Sequence, residues 1–207
     1  MGLLGIPTRK DVENLYKKIS NTNYKKDNFS NQKAVENLIR YVTRTRKDEM
    51  PGREWVLYDA VGAINVASVD DIIQQFLFVQ HAHGIEKRGG RRMYHEVFNL
   101  MDEEVAELGF SLQRFWQLGM GCAQIYYGMG FQVVFAVHWE YGKHFHIHFA
   151  VNGISYINGH KWHTSLNEIH QREELFNRIL YNCRAIPDGK TAAIYFQDVP
   201  MIGTLGF

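Results

Sequence analysis

The sequence has few cysteines and prolines and no long apolar run. Its only two cysteines, Cys122 and Cys183, form no Cys-x-x-Cys pair, which argues against a disulfide framework and a thiolate zinc site. No apolar stretch reaches the roughly 20 residues that a membrane-spanning helix needs. The apolar start, residues 1–7, is too short for a signal peptide and lacks its basic residues. We therefore expect a cytoplasmic protein that does not contact the membrane.

The sequence also lacks a strong excess of charge of either sign. The formal net charge is +1, which by itself does not indicate a nucleic-acid-binding protein. The length of 207 residues and the hydrophobic fraction of 45% suit one soluble domain, and we expect residues 1–207 to form it. Basic residues are nevertheless grouped in three clusters that can bind phosphates: Lys17, Lys18, Lys25 and Lys26; Arg40, Arg44, Arg46 and Lys47; Lys87, Arg88, Arg91 and Arg92.

The spacing of apolar residues predicts a mixture of helices and strands. Helices are expected at 10–19, 69–81, 102–127 and 164–182, and a further helix is expected to begin after a cap at Ser30 or Asn31 and to end in the basic cluster before Met50. Gly119 and Gly121 are candidate interruptions of the helix at 102–127. Strands are expected at 54–66 (with a loop), 92–100, 131–138, 144–151 and 191–197, and residues 84–90 are expected to form a basic loop. The turn between 131–138 and 144–151 makes them an antiparallel hairpin. We therefore predict an α/β fold whose central, largely antiparallel sheet is flanked by helices.

One strand of this hairpin carries three histidines at alternate positions. Because successive side chains of a strand point to opposite faces, His144, His146 and His148 share one face with Asn152. The hairpin brings His138 beside them. Clustered imidazoles repel one another when protonated, whereas a divalent metal binds them in their neutral form. The pattern therefore predicts a metal site, and the absence of thiolates favours a catalytic metal over a structural one.

The segment His138-x(7)-His146-Ile147-His148-x(3)-Asn152 resembles the metal motif of mobilisation relaxases. These are DNA-nicking enzymes of plasmids and integrative elements, in the histidine–hydrophobe–histidine endonuclease superfamily. The resemblance implies that His138, His146 and His148 bind the metal, with His144 as an additional or substitute ligand. Glu140 occupies the place of the acidic residue in the family pattern, which implies a role in orienting a ligand.

Two further segments are similar to the same family, and the resemblance covers roughly residues 33–182. Arg40-Tyr41-Val42-Thr43-Arg44 is similar to the helix that carries the nucleophilic tyrosine, which implies catalysis by Tyr41. The segment from Gly89 to His95 resembles the basic loop and the strand that carries a histidine near its start, which implies an active-site role for His95. We expect DNA to be contacted by Arg44, Arg91, Arg92 and Asn152.

The resemblance implies a metal-dependent enzyme that nicks and rejoins single-stranded DNA. The Tyr41 phenol would attack a phosphate at an origin of transfer and form a 5′-phosphotyrosine intermediate. Mg²⁺ or Mn²⁺ is the expected ion, and accessory DNA-binding proteins are possible partners. The sequence departs from the family in one respect, because a helix and a polar loop precede the tyrosine helix where family members have a strand.

Several alternatives remain open at this point. Tyr24, in a polar stretch, is a second candidate nucleophile. In a rolling-circle replication initiator the tyrosine follows the histidine motif, and Tyr181 has that position. A relative that binds DNA without cutting it would form no covalent adduct. An unrelated iron or zinc enzyme with histidine ligands would not require DNA.

Overall fold

The computed structural model describes residues 33–45, 54–140 and 145–184. In chain order, its elements are α1 (Lys33–Thr43), β1 (Glu54–Val61), α2 (Val69–Ala82), α3 (Ile85–Arg88), β2 (Met93–Asn99), α4 (Asp102–Glu107), α5 (Leu112–Gly128), β3 (Val133–Glu140), β4 (His146–Asn152) and α6 (Leu166–Cys183). The helix predicted at 10–19 and the strand predicted at 191–197 lie outside the described residues. No helix in the described part of the chain is both long and apolar enough to cross a membrane.

The four described strands form one antiparallel sheet in the order β1-β3-β4-β2. Strands β3 and β4 are central, and their register pairs His138 with His146 and Ala136 with His148. Strand β2 pairs with β4 alone, so that His95 lies opposite Ala150. The prediction of an α/β fold with a central antiparallel sheet is confirmed.

Helices cover both faces of the sheet, and each face has its own apolar core. On one face, α1 and α2 pack over Met93, Val134, Ala136 and Ala150. The apolar residues of α1 recur at helical spacing, which gives the helix a single buried stripe: Val35, Leu38, Ile39 and Val42. On the other face, α5 and α6 pack over the alternate residues of the same strands, including Phe135, Ile147 and Phe149. The histidines therefore lie on the face covered by α1 and α2.

The long helix predicted at 102–127 is interrupted, but not at the two glycines expected. The chain leaves α4 through Gly109 and Phe110, which have φ values of +62° and +49°, and Ser111 then caps α5. Helix α5 continues through Gly119 and Gly121. Gly119 is required there for close packing, because a Cβ atom would lie 2.4 Å from Cδ2 of Phe135 on the sheet. The loop expected at 84–90 also contains the single turn of α3.

A partly buried ion pair holds β2 from the face opposite the histidines. Glu96 on β2 accepts a hydrogen bond of 2.7 Å from Nη2 of Arg172 on α6. The Tyr126 hydroxyl of α5 donates to the same carboxylate over 2.8 Å. Burial and the neighbouring Glu96 carboxylate raise the pKa of Tyr126 well above its usual value. Because β2 has only one partner strand among the described residues, these contacts add substantially to its attachment.

Candidate metal centre and nucleophile

Strands β3 and β4 bring three histidines together on one face. His138 and His146 are direct cross-strand neighbours, and His148 is the diagonal neighbour of His138. The ring centroids lie 5.3 Å apart for His138–His146, 4.3 Å for His138–His148 and 4.7 Å for His146–His148. One nitrogen from each ring lies within 4.8 Å of the other two. The cluster predicted from the sequence is thus present, and it can bind a single ion.

The C-terminal end of α1 closes over this cluster. His138 is fully buried, and its Nε2 donates to the Val42 carbonyl over 2.5 Å. The last carbonyls of a helix have no partner within the helix, so they are available to such a donor. The carbonyl end of a helix also favours a nearby cation. With Nε2 engaged, Nδ1 is the nitrogen that His138 would offer to a metal.

His95 on β2 extends the cluster to four imidazoles. Its Nε2 lies 2.7 Å from Nδ1 of His148, and the two rings stack with centroids 4.9 Å apart. Burial, with a smaller contribution from His146, lowers the pKa of His95 to about 4. Burial and the nearby His95, His138, His146 and Arg44 also lower the pKa of His148. Both rings are therefore neutral at pH 7, as metal coordination requires.

The residues present fit a divalent metal. Nε2 of His148 is buried and has no hydrogen-bond partner among the described residues, although buried polar atoms almost always have one. Its Nδ1 is engaged by His95, so the unpartnered nitrogen is the one left for an ion. Neutral imidazole is a good ligand for divalent transition metals. An ion at this point would therefore complete a site that the fold otherwise leaves unsatisfied.

Tyr41 lies beside the cluster, in the last turn of α1. Its ring meets the rings of His95 and His148 edge-on, with centroids 5.9 and 5.8 Å away. The next residues end the helix, since Thr45 N donates to Arg40 O and Arg44 adopts a left-handed φ of +54°. This conformation brings the Arg44 guanidinium carbon to 4.9 Å from the centre of the Tyr41 ring. The structure thus brings Tyr41, His95 and Arg44 to the histidine cluster.

Of the other residues predicted for the site, two have side chains that the structure does not describe and two make contacts elsewhere. His144 lies outside the described residues, and Glu140 ends β3 with its side chain outside the described part of the structure. Arg91 is exposed, with its guanidinium 5.0 Å from the Tyr94 ring, which belongs to the core on the other face of the sheet. Arg92 is buried and donates to Oε1 of Gln80 over 3.4 Å.

Asn152 lies in a buried network of amide groups. Its Oδ1 accepts from Gln80 over 2.9 Å, and its Nδ2 donates to Gln132 Oε1 over 2.9 Å and to the Phe76 carbonyl. The side chain is fully buried, and its hydrogen bonds to Gln80 and Phe76 attach α2 to the sheet. In this structure it has no exposed atom to offer DNA, and its predicted DNA contact remains a prediction.

The comparisons with known proteins agree with this arrangement. The family model of the MobA/VirD2-like relaxase nuclease domain matches residues 41–183, which is 143 of the 207 residues. The chain belongs to this relaxase family. No curated protein and no solved structure gives a significant match. Membership implies a DNA-nicking enzyme of mobilisation that binds single-stranded DNA at an origin.

Sequence reasoning missed the groups that hold the relaxase site in place. The partner of His138 is the Val42 backbone carbonyl, which leaves no trace in side-chain patterns. Gln80 and Gln132 bond Asn152 from positions far away in sequence. One signal was available, because Gln132 lies on the same strand face as His138 and was visible as a polar residue in an apolar strand.

The lowered histidine pKa values predict acid sensitivity of the metal-free relaxase domain. Unfolded histidines bind protons below about pH 6.5, whereas buried His95 and His148 remain neutral. The unfolded state therefore binds more protons, and stability falls as pH drops below 6.5 until the folded pKa is reached, about 4 for His95. Each such histidine lowers the free energy of unfolding by at most about 1.4 kcal/mol for each pH unit in this range. Urea unfolding in EDTA at pH 7.5, 6.0 and 5.0 measures the effect. His95→Gln should flatten the profile, and an unchanged profile would contradict this account.

The buried amide network predicts a structural effect of changing Asn152. Asn152→Ala removes the donor to Oε1 of Gln132 and one of the two acceptors of Nε2 of Gln80, so the free energy of unfolding should fall by about 1–3 kcal/mol. Asn99→Ala is the control, because Asn99 ends β2 with its side chain exposed. Urea unfolding compares the two variants, and DNA affinity is measured on the folded fraction. Reduced DNA affinity with unchanged stability would assign Asn152 to DNA binding instead.

Proposed function

We propose that this relaxase domain nicks and rejoins one strand of DNA by transesterification through Tyr41. The observation that carries the proposal is the position of Tyr41 against His95 and His148, on the same side of the sheet as the three-histidine cluster. No other tyrosine among the described residues makes a ring contact with these histidines. This proximity supports a single site that contains both the proposed nucleophile and the proposed metal ligands.

In the proposed reaction, Oη of Tyr41 attacks a phosphorus atom of single-stranded DNA. A bond between Oη and phosphorus forms as the bond between phosphorus and the 3′ oxygen breaks, and the phosphorus stays bonded to the 5′ oxygen. The phenol loses its proton, and the 3′ oxygen leaves as a hydroxyl. One phosphate ester replaces another, so attack by a 3′-hydroxyl reverses the reaction and reseals a strand. When bound, the divalent metal supplies positive charge that polarises the phosphate oxygens.

Three imidazole ligands favour Mn²⁺ over Mg²⁺ in affinity, since Mg²⁺ prefers oxygen ligands. We propose Mg²⁺ or Mn²⁺ as the ion that supports activity, with abundance deciding between them. His138, His146 and His148 would bind it. Activity should therefore saturate at a lower concentration of Mn²⁺ than of Mg²⁺.

We further propose that Arg44 contacts the scissile phosphate. Its side chain lies over the Tyr41 ring and close enough to His148 to lower the pKa of that histidine. A fixed guanidinium in this position can stabilise the charge that develops on the phosphate oxygens. The left-handed backbone of Arg44 costs on the order of 1 kcal/mol for a residue other than glycine, and such strain is often found at functional sites.

The rolling-circle initiator would use Tyr181 instead of Tyr41. Tyr181 lies on α6, which packs on the face of the sheet opposite the histidine cluster, and its side chain is 68% exposed. The sheet therefore separates Tyr181 from the proposed metal site. This placement favours Tyr41, while Tyr24 lies outside the described residues.

The proposed nucleophile is tested by covalent capture of DNA. Purified protein with Mn²⁺ is incubated with a labelled pool of random single-stranded DNA, and the products are separated on a denaturing gel. Wild type should form a covalent band that is lost in Tyr41→Phe and in His146→Ala but retained in Tyr181→Phe, the matched control. Peptide mapping of the adduct should place the nucleotide on Tyr41.

A band that survives Tyr41→Phe would contradict the proposal, and loss of the band with Tyr181→Phe would support the initiator. Binding without any band, even after the pool is enriched for bound sequences, would support a non-cutting relative.

Arg44 is tested by separating backbone strain from the charge of the side chain. Arg44→Gly relieves the left-handed strain and should leave stability unchanged or higher by up to about 1 kcal/mol. It should nevertheless slow single-turnover nicking by at least about 10-fold, as expected for the loss of a group that stabilises the transition state. Arg44→Lys keeps the charge without the planar guanidinium and should be intermediate. Nicking by Arg44→Gly at the wild-type rate would show that the guanidinium does not act on the phosphate.

A further inference from the structure

The contact between His95 and His148 restricts where their protons lie. A neutral imidazole has one N–H group and one nitrogen that accepts. His95 Nε2 and His148 Nδ1 are 2.7 Å apart, so one of the two must donate and the other must accept. This choice decides whether the other nitrogen of His148, Nε2, carries a proton or has a free lone pair.

The surroundings of Nε2 of His148 indicate which of the two histidines donates the proton when a metal binds. This atom is buried and has no hydrogen-bond partner among the described residues, and His148 belongs to the cluster with His138 and His146. If Nδ1 of His148 donates to His95, Nε2 keeps its lone pair for an ion. If His95 donates instead, Nε2 carries a proton and cannot bind one.

We infer that His95 is a positioning residue that accepts the Nδ1 proton of His148 and thereby holds Nε2 ready for a metal. The inference rests on the proposed function, because it concerns the same metal site. His95 would act as an acceptor rather than as a base for Tyr41. Its position suits this role, since it is the diagonal neighbour of His148 on the adjacent strand and its ring stacks on that of His148.

Small neighbouring side chains make room for the two stacked imidazoles, and the Tyr41 ring contacts both of them. Ala150 lies opposite His95 and Ala136 lies opposite His148, and both alanines are fully buried, so the two imidazoles are next to small side chains. The Tyr41 ring then meets both imidazoles edge-on. Rotation of either imidazole would break the 2.7 Å contact and disturb the contact with Tyr41. The orientation of His95 is therefore coupled both to the metal ligand and to the proposed nucleophile.

Two substitutions at His95 separate an acceptor from a proton-transfer group. His95→Gln retains a carbonyl oxygen that can accept from Nδ1 of His148 but that cannot act as a base at neutral pH. His95→Leu removes the acceptor. His148→Ala removes the ligand itself, and His170→Leu is the matched control, because His170 is exposed on α6.

Mn²⁺ affinity, measured from the free-ion signal in electron paramagnetic resonance, is the primary readout. His95→Leu should weaken Mn²⁺ binding about 10- to 100-fold, as the loss of such supporting contacts commonly does. His95→Gln should remain within about threefold of wild type and should nick DNA at a near wild-type rate in saturating Mn²⁺. Equal Mn²⁺ affinity of wild type and His95→Leu would overturn the inference. Wild-type Mn²⁺ affinity in His95→Gln with nicking abolished would also overturn it, because His95 would then transfer a proton.

Failure of the metal site itself is distinguishable from failure of this inference. If wild type does not bind Mn²⁺, or binds it no better than His148→Ala, both the proposed metal site and the inference are wrong. If wild type binds Mn²⁺ and only His148→Ala is impaired, the metal site stands and the role of His95 is wrong. Circular dichroism and thermal melting in EDTA identify any variant that does not fold.

The tautomer is also measurable in the unaltered protein. Long-range proton–nitrogen spectra of metal-free wild type at pH 7.5, with labelled histidines, assign the proton of each imidazole. His148 should carry its proton on Nδ1 and His95 should present an unprotonated Nε2. A proton on Nε2 of His148 would overturn the inference without recourse to any variant.

Discussion

The shortage of hydrogen-bond partners for buried imidazoles is the constraint on which the rest of this site depends. Each ring has two nitrogens, and a dry environment requires a partner for both. One nitrogen of His138 contacts a helix carbonyl, and one nitrogen of His148 contacts His95. The fold thus contacts one nitrogen of each of these two rings from the periphery, while Nε2 of His148 has no partner among the described residues. An ion held by the three histidines would supply that partner.

Helix α1 links this constraint to the chemistry. The carbonyl that accepts from His138 belongs to Val42, the residue directly after Tyr41. The helix ends at Thr43, and the left-handed backbone of Arg44 then directs the guanidinium toward the Tyr41 ring. The end of the helix is therefore attached to a histidine of the candidate metal cluster. Any movement of α1 would displace the proposed nucleophile and its neighbouring cation together and would break the contact between Val42 and His138.

The sequence predicted the parts of this molecule that depend on local periodicity. Alternation along β3 and β4 correctly separated the face with Phe135 and Ile147 from the face with His138 and His148, although both faces have an apolar core. The stripe on α1 was equally clear, because Val35, Leu38 and Val42 recur at helical spacing. These patterns follow from the geometry of single elements, and strand pairing then brings the histidines together without further information.

Features that depend on contacts between distant segments could not be predicted in this way. Arg92 and Asn152 are polar, which suggested contact with DNA, yet Gln80 from α2 engages both of them in the interior. The glycines of α5 suggested an interruption, whereas Gly119 is there because Phe135 leaves no space for a side chain. The helix ends instead at Gly109 and Phe110, where a left-handed backbone was not evident from residue type at position 110. In each case the decisive partner lies on another element.

The attachment of β2 shows why the back of the sheet matters to the site on its front. His95 can contact His148 only if β2 keeps its register against β4. Among the described residues, β2 has ladder hydrogen bonds to this one strand alone. Glu96, the next residue, points to the opposite face, where Arg172 and Tyr126 bind its carboxylate. A shift of β2 by one residue would turn Glu96 away from these partners and move His95 off the histidine face, so it is disfavoured. Alternation along a single strand thus couples a partly buried ion pair on one face to the orientation of a candidate metal-ligand histidine on the other.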